Sequence, residues 1–163
     1  MEPRRHVLLG ASHAGAAIER SMLGAVHSMA NPLTASRGVV HGIAVGMVLP
    51  TVMKFNAEQP EVNFMYAEVA RKSGLAPLGM PDKESTQRLI DRVSTILKLA
   101  KMPPSLGELG FEYSDIKSLA SDASEQWTAR FNPRSLRVTD FENLYSLLFP
   151  ASVAKADSFR QVN

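Results

Sequence analysis

The spacing of apolar residues along the chain constrains its fold more than any other feature of the sequence. In four segments these residues recur at intervals of three and four, which places them on one face of a helix. No segment alternates apolar and polar residues over more than a few positions, as a half-buried strand would. The sequence therefore predicts an all-α fold. The four stripes consist of Val62, Met65, Tyr66 and Val69; of Leu89, Val93, Ile96, Leu97 and Ala100; of Ile116, Leu119, Ala123 and Trp127; and of Phe141, Leu144, Tyr145 and Leu148.

Two earlier segments carry many apolar or small residues without a clear stripe. Residues 41–56 are apolar almost throughout, and their length favours a helix enclosed on every side over a buried strand. Residues 5–29 are rich in glycine and alanine, which allow helices to approach closely, so we expect a helix packed tightly on several sides. Pro32 should end that helix, because a proline disfavours the α conformation in the residue before it. Together with the four stripes this gives six helices.

Several helix ends can be placed from local signals. Asp82 follows Pro81 and is expected to cap the helix that begins there, and Ser114 is expected to cap the next one. Thr139 with Glu142 has the spacing of a capping box before the last stripe.

Length and composition favour one domain of modest charge. With 163 residues, 45% of them hydrophobic, the chain can bury one core, and we expect a single helical domain over residues 1–163 with its core at about 5–149 and a tail at 150–163. The net charge of +2 is too small to build a phosphate-neutralising surface, so nucleic acid is not expected as a partner. The sequence contains no cysteine, so any metal must be held by histidines and carboxylates.

The apolar segments are too short and too interrupted to cross a membrane. The longest, at 38–52, contains His41 and Pro50. Two arginines precede the apolar residues 6–11 in a pattern that resembles a signal peptide, but that stretch is short and is bracketed by His6 and His13. We therefore expect a cytoplasmic protein without membrane contact.

The histidines are the main candidates for chemistry. His27 and His41 are separated by roughly 21 Å if they lie on one straight helix, but a break at Asn31 and Pro32 that folds the second helix back would bring them together. An imidazole enclosed there needs a partner, which is either a backbone group at a helix end or a metal ion. We expect His6 and His13 to be structural or exposed. No Ser/His/Asp set, Gly-rich phosphate loop or strand, turn and helix unit for a dinucleotide is present.

The residues around these two histidines resemble a known family. The chain closely resembles the metal-binding stretch of the iron-containing (group III) alcohol dehydrogenases, and later landmarks of that family follow in the same order. The resemblance extends over residues 11–149. The matching runs are GAVHSMANPL at 24–33, VHG at 40–42, LPTVMKFN at 49–56, PSLGELG at 104–110 and NPR at 132–134.

The resemblance implies a helical bundle like the C-terminal, all-helical metal-binding domain of those enzymes, which belong to the dehydroquinate synthase-like fold. It also implies an NAD(P)-dependent oxidoreductase with a divalent metal, iron or zinc, held by one Asp and three His. His27 and His41 match two of these histidines. The Asp and the third His belong to a segment that would precede Met1, as does the nucleotide-binding domain, which we expect to be absent here.

Four positions qualify this resemblance. Asn31 stands where many relatives have a second histidine facing the substrate and the nicotinamide, so Asn31 is our candidate for cofactor contact, although an amide cannot relay a proton at neutral pH. Val40 and Thr51 replace a usual proline and a common histidine, which leaves the ligands intact. Thr128 matches a position that lines the pocket in relatives. A structural role, as a hydroxyl at a helix end, explains it at least as well.

The functional prediction is an incomplete enzyme. We expect the chain to be the metal-binding part of an alcohol dehydrogenase that interconverts a small alcohol with an aldehyde or ketone, and to be inactive alone. NAD or NADP would bind only with the missing domain. The expected partner is that nucleotide-binding half or a second copy of the chain, because the apolar segment 41–55 and the small-residue segment 11–25 call for close neighbours. The alternative is a non-enzymatic helical interaction module derived from the same scaffold.

Overall fold

A computed structural model of the chain describes residues 2–150. Within this range every regular element is helical, so the all-α prediction is confirmed. Most of the expected tail, residues 151–163, lies outside the described residues. The helices are α1 (Glu2–Ser21), α2 (Ala25–Arg37), α3 (His41–Asn56), α4 (Pro60–Lys72), α5 (Asp82–Leu99), α6 (Ile116–Glu125) and α7 (Val138–Ser146), with short 3₁₀ turns at Leu106–Leu109, Tyr113–Asp115 and Trp127–Phe131.

One hydrophobic core organises the bundle. Helices α2, α3, α6 and α7 and the turn Trp127–Phe131 pack around it, and α4 pairs with α5, which in turn contacts α3. The stripes predicted on α6 and α7 supply part of this core. The stripes predicted on α4 and α5 lie outside it, and Met65, Val69 and Ile96 are about half exposed. The largest apolar side chains that are fully buried are Tyr145, Phe141, Met29, Leu33, Leu106, Val48 and Val52.

Helix α3 confirms the helical interpretation of residues 41–56, although it is not enclosed on every side. Its middle is buried, whereas His41 and Lys54 are exposed. Gly46 marks the closest approach to the rest of the bundle. A Cβ atom there would lie 2.7 Å from Met102 Cε and 3.1 Å from Leu97 Cδ2, so the flexible ends of these two side chains would have to shift to make room for it.

The prediction of one tightly packed helix over residues 5–29 is wrong. The chain breaks after α1 at Met22, whose φ of 62° lies in the left-handed region, and α2 begins three residues later. Helix α1 has no buried residue, and Val7 and Leu8 are more than two-thirds exposed. Glycine and alanine allow close packing but contribute little apolar area to drive it, and the large apolar residues of α1, Val7, Leu8, Leu9 and Ile18, are exposed.

Pro32 does not end its helix, contrary to the prediction. Helix α2 continues through Pro32 to Arg37 and ends at Gly38, which adopts the left-handed conformation with φ 65° and donates its N–H to the carbonyl of Thr34 at 3.0 Å. A proline inside a helix loses one backbone hydrogen bond. The ring of Pro32 is buried, and this burial offsets that loss.

The helix ends differ from the predicted caps by a few residues. Asp82 is the first residue of α5 and pairs with Arg71 instead of capping its own helix. The box predicted for Thr139 and Glu142 is formed instead by Asp140, which accepts the N–H of Arg137 at 2.8 Å. The predicted cap Ser114 lies inside the turn Tyr113–Asp115. These signals locate a helix end within one turn only.

Two further observations complete the fold. Trp127, which the sequence placed on a buried stripe, belongs to a 3₁₀ turn and is 54% exposed. Within residues 2–150, none of the helices is both long enough and apolar enough to span a bilayer.

Candidate metal centre

The junction of α2 and α3 brings His27 and His41 together. Their ring centroids are 5.4 Å apart and the ring planes are inclined at 45°. His27 lies ten residues before the end of α2, a rise of about 15 Å, so residues 38–40 must carry the chain back toward the start of α2. The reversal predicted from the sequence exists, but it occurs at Gly38, and the expected break at Asn31 and Pro32 does not.

The two imidazoles lie at the edge of the core. His27 is half-buried and His41 is exposed. Burial lowers the pKa of His27 below its usual 6.5, and the nearby His41 lowers it further. At neutral pH His27 therefore carries a free lone pair, which is the form that binds a metal.

Neither imidazole forms a hydrogen bond with any group in residues 2–150. This observation does not support the alternative in which each histidine is held by a backbone carbonyl at a helix end. Both side chains are thus available to a ligand, as two neighbouring imidazoles are in histidine-rich metal sites.

Asn31 lies one turn after His27 on α2 and so shares its face of the helix. Its Nδ2 donates a hydrogen bond to Oε1 of Gln126 at 2.9 Å. Gln126 separates α6 from the turn Trp127–Phe131, 95 positions along the chain from Asn31. No signal in the sequence pointed to Gln126, because the contact depends on tertiary packing alone.

Thr128 does not line the open surface beside the histidines. It is 2% exposed, and its hydroxyl lies 3.0 Å from the hydroxyl of Ser28. This buried pair joins the turn Trp127–Phe131 to α2. Thr128 therefore supports the helix that carries His27 and Asn31.

Asn132 joins the two helices of the site. Its Oδ1 accepts the N–H of Ala25 at 3.2 Å and Nδ2 of Asn56 at 3.1 Å. Its Nδ2 donates to Asn56 Oδ1 at 2.7 Å and to the carbonyl of Arg134 at 2.6 Å. A Cβ atom on Gly24 would lie 3.0 Å from Asn132 Oδ1, so glycine leaves room for this side chain. The first turn of α2 and the last turn of α3 are thereby fixed relative to each other.

The chemistry of this pair fits a divalent transition metal. Metal–nitrogen bonds of about 2.0–2.1 Å in a tetrahedral site place two imidazole centroids about 5 Å apart, close to the observed 5.4 Å. Within residues 2–150 no three side chains of His, Cys, Asp or Glu come together, so the described part of the chain offers two ligands. His6 and His13 lie on the exposed helix α1, away from this pair.

The chain is similar in sequence and fold to several known proteins. The chain is 33% identical over 137 residues to lactaldehyde reductase of Escherichia coli strain K12, an alignment that covers 84% of this chain and 35% of that protein. It superposes on 1,3-propanediol oxidoreductase with a TM-score of 0.78 at 25% identity, covering 83% of this chain and 35% of the other.

A third relative is the iron-containing alcohol dehydrogenase from Thermococcus thioreducens. It superposes with a TM-score of 0.76 at 28% identity, covering 90% of this chain and 37% of the other. The chain thus spans about a third of the length of the proteins that it matches. The model of the Fe-containing alcohol dehydrogenase family, C-terminal, matches residues 1–149. The chain therefore belongs to the Fe-containing alcohol dehydrogenase family and corresponds to its C-terminal helical domain.

Proposed function

We propose that this chain is the metal-binding part of an NAD(P)-dependent alcohol dehydrogenase that interconverts a small alcohol with its aldehyde or ketone. The observation that carries the proposal is the pair of unbonded imidazoles, His27 and His41, whose centroids are 5.4 Å apart. Their positions match two ligands of the family that the sequence resembles. Iron and zinc both accept imidazole ligands, so either metal suits the pair.

When bound, the divalent metal supplies Lewis-acid polarisation of the alcohol or carbonyl oxygen, which favours hydride exchange with the nicotinamide. The chain's own residues have simpler roles. His27 and His41 offer lone pairs, and burial, with a smaller effect of His41, lowers the pKa of His27 and so favours its neutral, metal-binding form. Asn31 cannot take up or release a proton at neutral pH, so it acts on a ligand by hydrogen bonding alone.

We infer that the remaining metal ligands and the nucleotide site come from a partner that completes the site, because two imidazoles alone leave the ion short of ligands. The partner we propose is a nucleotide-binding half of the enzyme. The alternative partner is a second copy of this chain. The exposure of His41 supports an ion shared with another surface. The exposed apolar residues of α1 support a further contact, since Val7 and Leu8 meet solvent in this chain.

Calorimetric titration with Zn²⁺, and with Fe²⁺ under anaerobic conditions, tests the ligand assignment. We expect weak binding that a mild chelator removes, because two imidazoles leave the ion short of protein ligands. Binding should weaken as the pH falls, because protons compete with the metal for the imidazole lone pairs. It should be lost in the double variant His27→Ala and His41→Ala but kept in His13→Ala, the matched control on exposed α1. Unchanged binding in the double variant would contradict the assignment.

An activity assay tests the incomplete-enzyme proposal. We expect no turnover from the chain alone with NAD or NADP, a divalent metal and a panel of short alcohols and aldehydes. Activity should appear when the nucleotide-binding half of a relative is added in trans or by fusion, and His41→Ala should abolish it. Turnover by the chain alone that His41→Ala removes would contradict incompleteness. A fusion that binds no metal and shows no turnover would favour the non-enzymatic interaction module.

A further inference from the structure

We propose that Gln126 is a positioning residue that presents the carbonyl oxygen of Asn31 as a fixed hydrogen-bond acceptor beside His27, so that the site selects ligands with a hydroxyl donor. The orientation of the two amides follows from the contacts of Gln126. The identification of this place as a substrate site rests on the proposed function.

The last turn of α6 determines which way the side-chain amide of Gln126 is oriented. Its Nε2 donates to the carbonyl of Asp122, 3.4 Å away. A backbone carbonyl only accepts hydrogen bonds, so the amino group of Gln126 must face it and the oxygen must face the other way. That oxygen, Oε1, is the atom that meets Asn31 at 2.9 Å.

The direction of the Asn31 amide then follows. Facing an acceptor, Asn31 must present Nδ2, and its Oδ1 lies on the opposite edge of the planar amide. Among residues 2–150 no group donates a hydrogen bond to this oxygen. Within that range, the buried side-chain polar atoms without a partner are Thr34 Oγ1 and Arg71 Nε. Asn31 Oδ1 is not one of them, so it is not fully enclosed by protein. Asn31 Oδ1 is therefore open to a ligand.

Asn31 Oδ1 lies on the same side of α2 as His27, so it can act on a ligand bound near the imidazole pair. Asn31 is four residues after His27 on the same face of α2, and His27 is in ring contact with His41. A ligand oxygen held near the imidazole pair would thus have an uncharged acceptor next to it. Such an acceptor favours alcohols and diols, whose hydroxyl donates, over ligands of similar size that can only accept.

Side-chain amide NMR of the full chain tests the orientation without metal, nucleotide or turnover. With ¹⁵N-asparagine labelling, one Asn31 Nδ2 proton should resonate downfield and exchange slowly with water. Gln126→Met should remove both properties because methionine offers no oxygen acceptor. Gln126→Glu should keep them because the carboxylate accepts the same proton. Gln87→Met, at an exposed glutamine on α5, is the matched control and should change neither.

Two neutral probes of similar size test the selectivity. Ethanediol can donate a hydrogen bond and 1,2-dimethoxyethane can only accept one. From the shifts of Asn31 and His27, ethanediol should bind the original chain about fivefold more tightly, a preference of the size that one hydrogen bond supplies. Gln126→Met should reduce the preference to less than about twofold, and Gln126→Glu should restore it. Circular dichroism of each variant verifies folding.

Equal binding of the two probes to the original chain would overturn the proposal, as would Asn31 resonances that Gln126→Met leaves unchanged. If the original chain binds neither Zn²⁺ nor Fe²⁺ but keeps the probe preference, the proposed function and the identification of a substrate site are overturned, whereas the orientation of the Asn31 amide by Gln126 stands. If the original chain binds the metal but shows no probe preference, this inference is overturned and the proposed function stands.

Discussion

Helices α1 and α2 adjoin in the sequence and are both rich in small residues, yet they have opposite environments. None of the twenty residues of α1 is buried, whereas α2 buries six of thirteen. Both helices carry large apolar side chains, but only α2 packs extensively against other helices, α3 and α6. In α2, Met29 and Leu33 project into the core beside Tyr145 and Phe141. In α1, Val7 and Leu8 meet solvent, so small residues allow packing but large apolar ones on a facing helix are needed to produce it.

Polar contacts add to this contrast and explain why the candidate site is on α2. The hydroxyl of buried Tyr145 donates to the carbonyl of Met29 at 2.7 Å, and Asn132 holds the first turn of the same helix. Burial raises the pKa of Tyr145 far above its usual value, so its hydroxyl remains a donor at every accessible pH. A ligand pair needs a rigid helix, and of these two helices only α2 is fixed at several points.

The largest expected effect compares one leucine from each helix. Leu33→Ala should lower the free energy of unfolding by about 2–5 kcal/mol, because Leu33 is fully buried and its loss leaves a cavity. Leu8→Ala should change it by less than about 0.5 kcal/mol, because Leu8 is 72% exposed. Urea denaturation followed by circular dichroism measures both values. Similar losses for the two variants would show that α1 packs against the bundle in solution.

The next effect concerns the polar junction at Asn132. Asn132→Ala should lower the free energy of unfolding by about 1–3 kcal/mol, because the amide of Asn56 and the N–H of Ala25 lose their partners. It should also shift the ring resonances of His27, whose helix it holds. Asn143→Ala is the matched control, at an exposed asparagine on α7. Histidine resonances that stay unchanged in Asn132→Ala would mean that other contacts alone position α2.

The sequence predicted the helices from α4 onward from apolar spacings that do not depend on distant residues, and it predicted α3 from the length of its apolar segment. Stripes such as Phe141, Leu144, Tyr145 and Leu148 predicted both the helix and its buried face. Local patterns did not give the packing of α1 or the continuity of α2, since the burial of Pro32 depends on what surrounds it. The caps were displaced for a similar reason, because Asp82 has a stronger partner in Arg71 than in its own backbone.

The candidate site was predicted in part. His27 and His41 were expected to approach each other, and they do, but the chain reverses at Gly38 and not at the expected break at Asn31 and Pro32. Their role as metal ligands stays a prediction. The residues that hold the site in place could not be predicted from the sequence. Gln126 bonds to Asn31 across 95 positions, and Asn132 bonds to Asn56 across 76. Contacts over such separations leave no periodic signal in a single sequence.

Glycine substitutions sharpen the contrast between exposed and packed helices. Gly46→Ala should change the free energy of unfolding by less than about 1 kcal/mol, because the shift forced on the flexible ends of Met102 and Leu97 opposes the gain in helix propensity over glycine. Gly15→Ala should favour the helical state of α1 by about 0.5–1 kcal/mol, since no atom lies within 4 Å of the added Cβ. The second variant should raise the helical signal in circular dichroism without moving the main unfolding transition. A shift of that transition would show that α1 unfolds together with the core.

The smallest expected effect is a pH dependence of the free energy of unfolding. It comes from Asp115, which pairs with Arg37 of the packed helix α2, and we expect no equivalent from α1. The backbone N–H of Glu112 is the main cause that lowers the pKa of Asp115 below its usual 3.8, the Arg37 guanidinium lowers it further, and partial burial opposes both. Because the folded state favours the ionised carboxylate, Asp115 contributes stability that is fully present above about pH 3.8 and is lost as the pH falls through its folded-state pKa. Asp115→Asn should therefore be less stable than the original chain at pH 6, with the difference shrinking below pH 3.8. Glu2→Gln is the control on α1, where the pair of Glu2 with His6 is exposed on both sides and should contribute nothing measurable. Urea midpoints from pH 3 to pH 6 measure the difference, and an Asp115→Asn difference that stays constant over this range would show that the carboxylate of Asp115 gains nothing on folding.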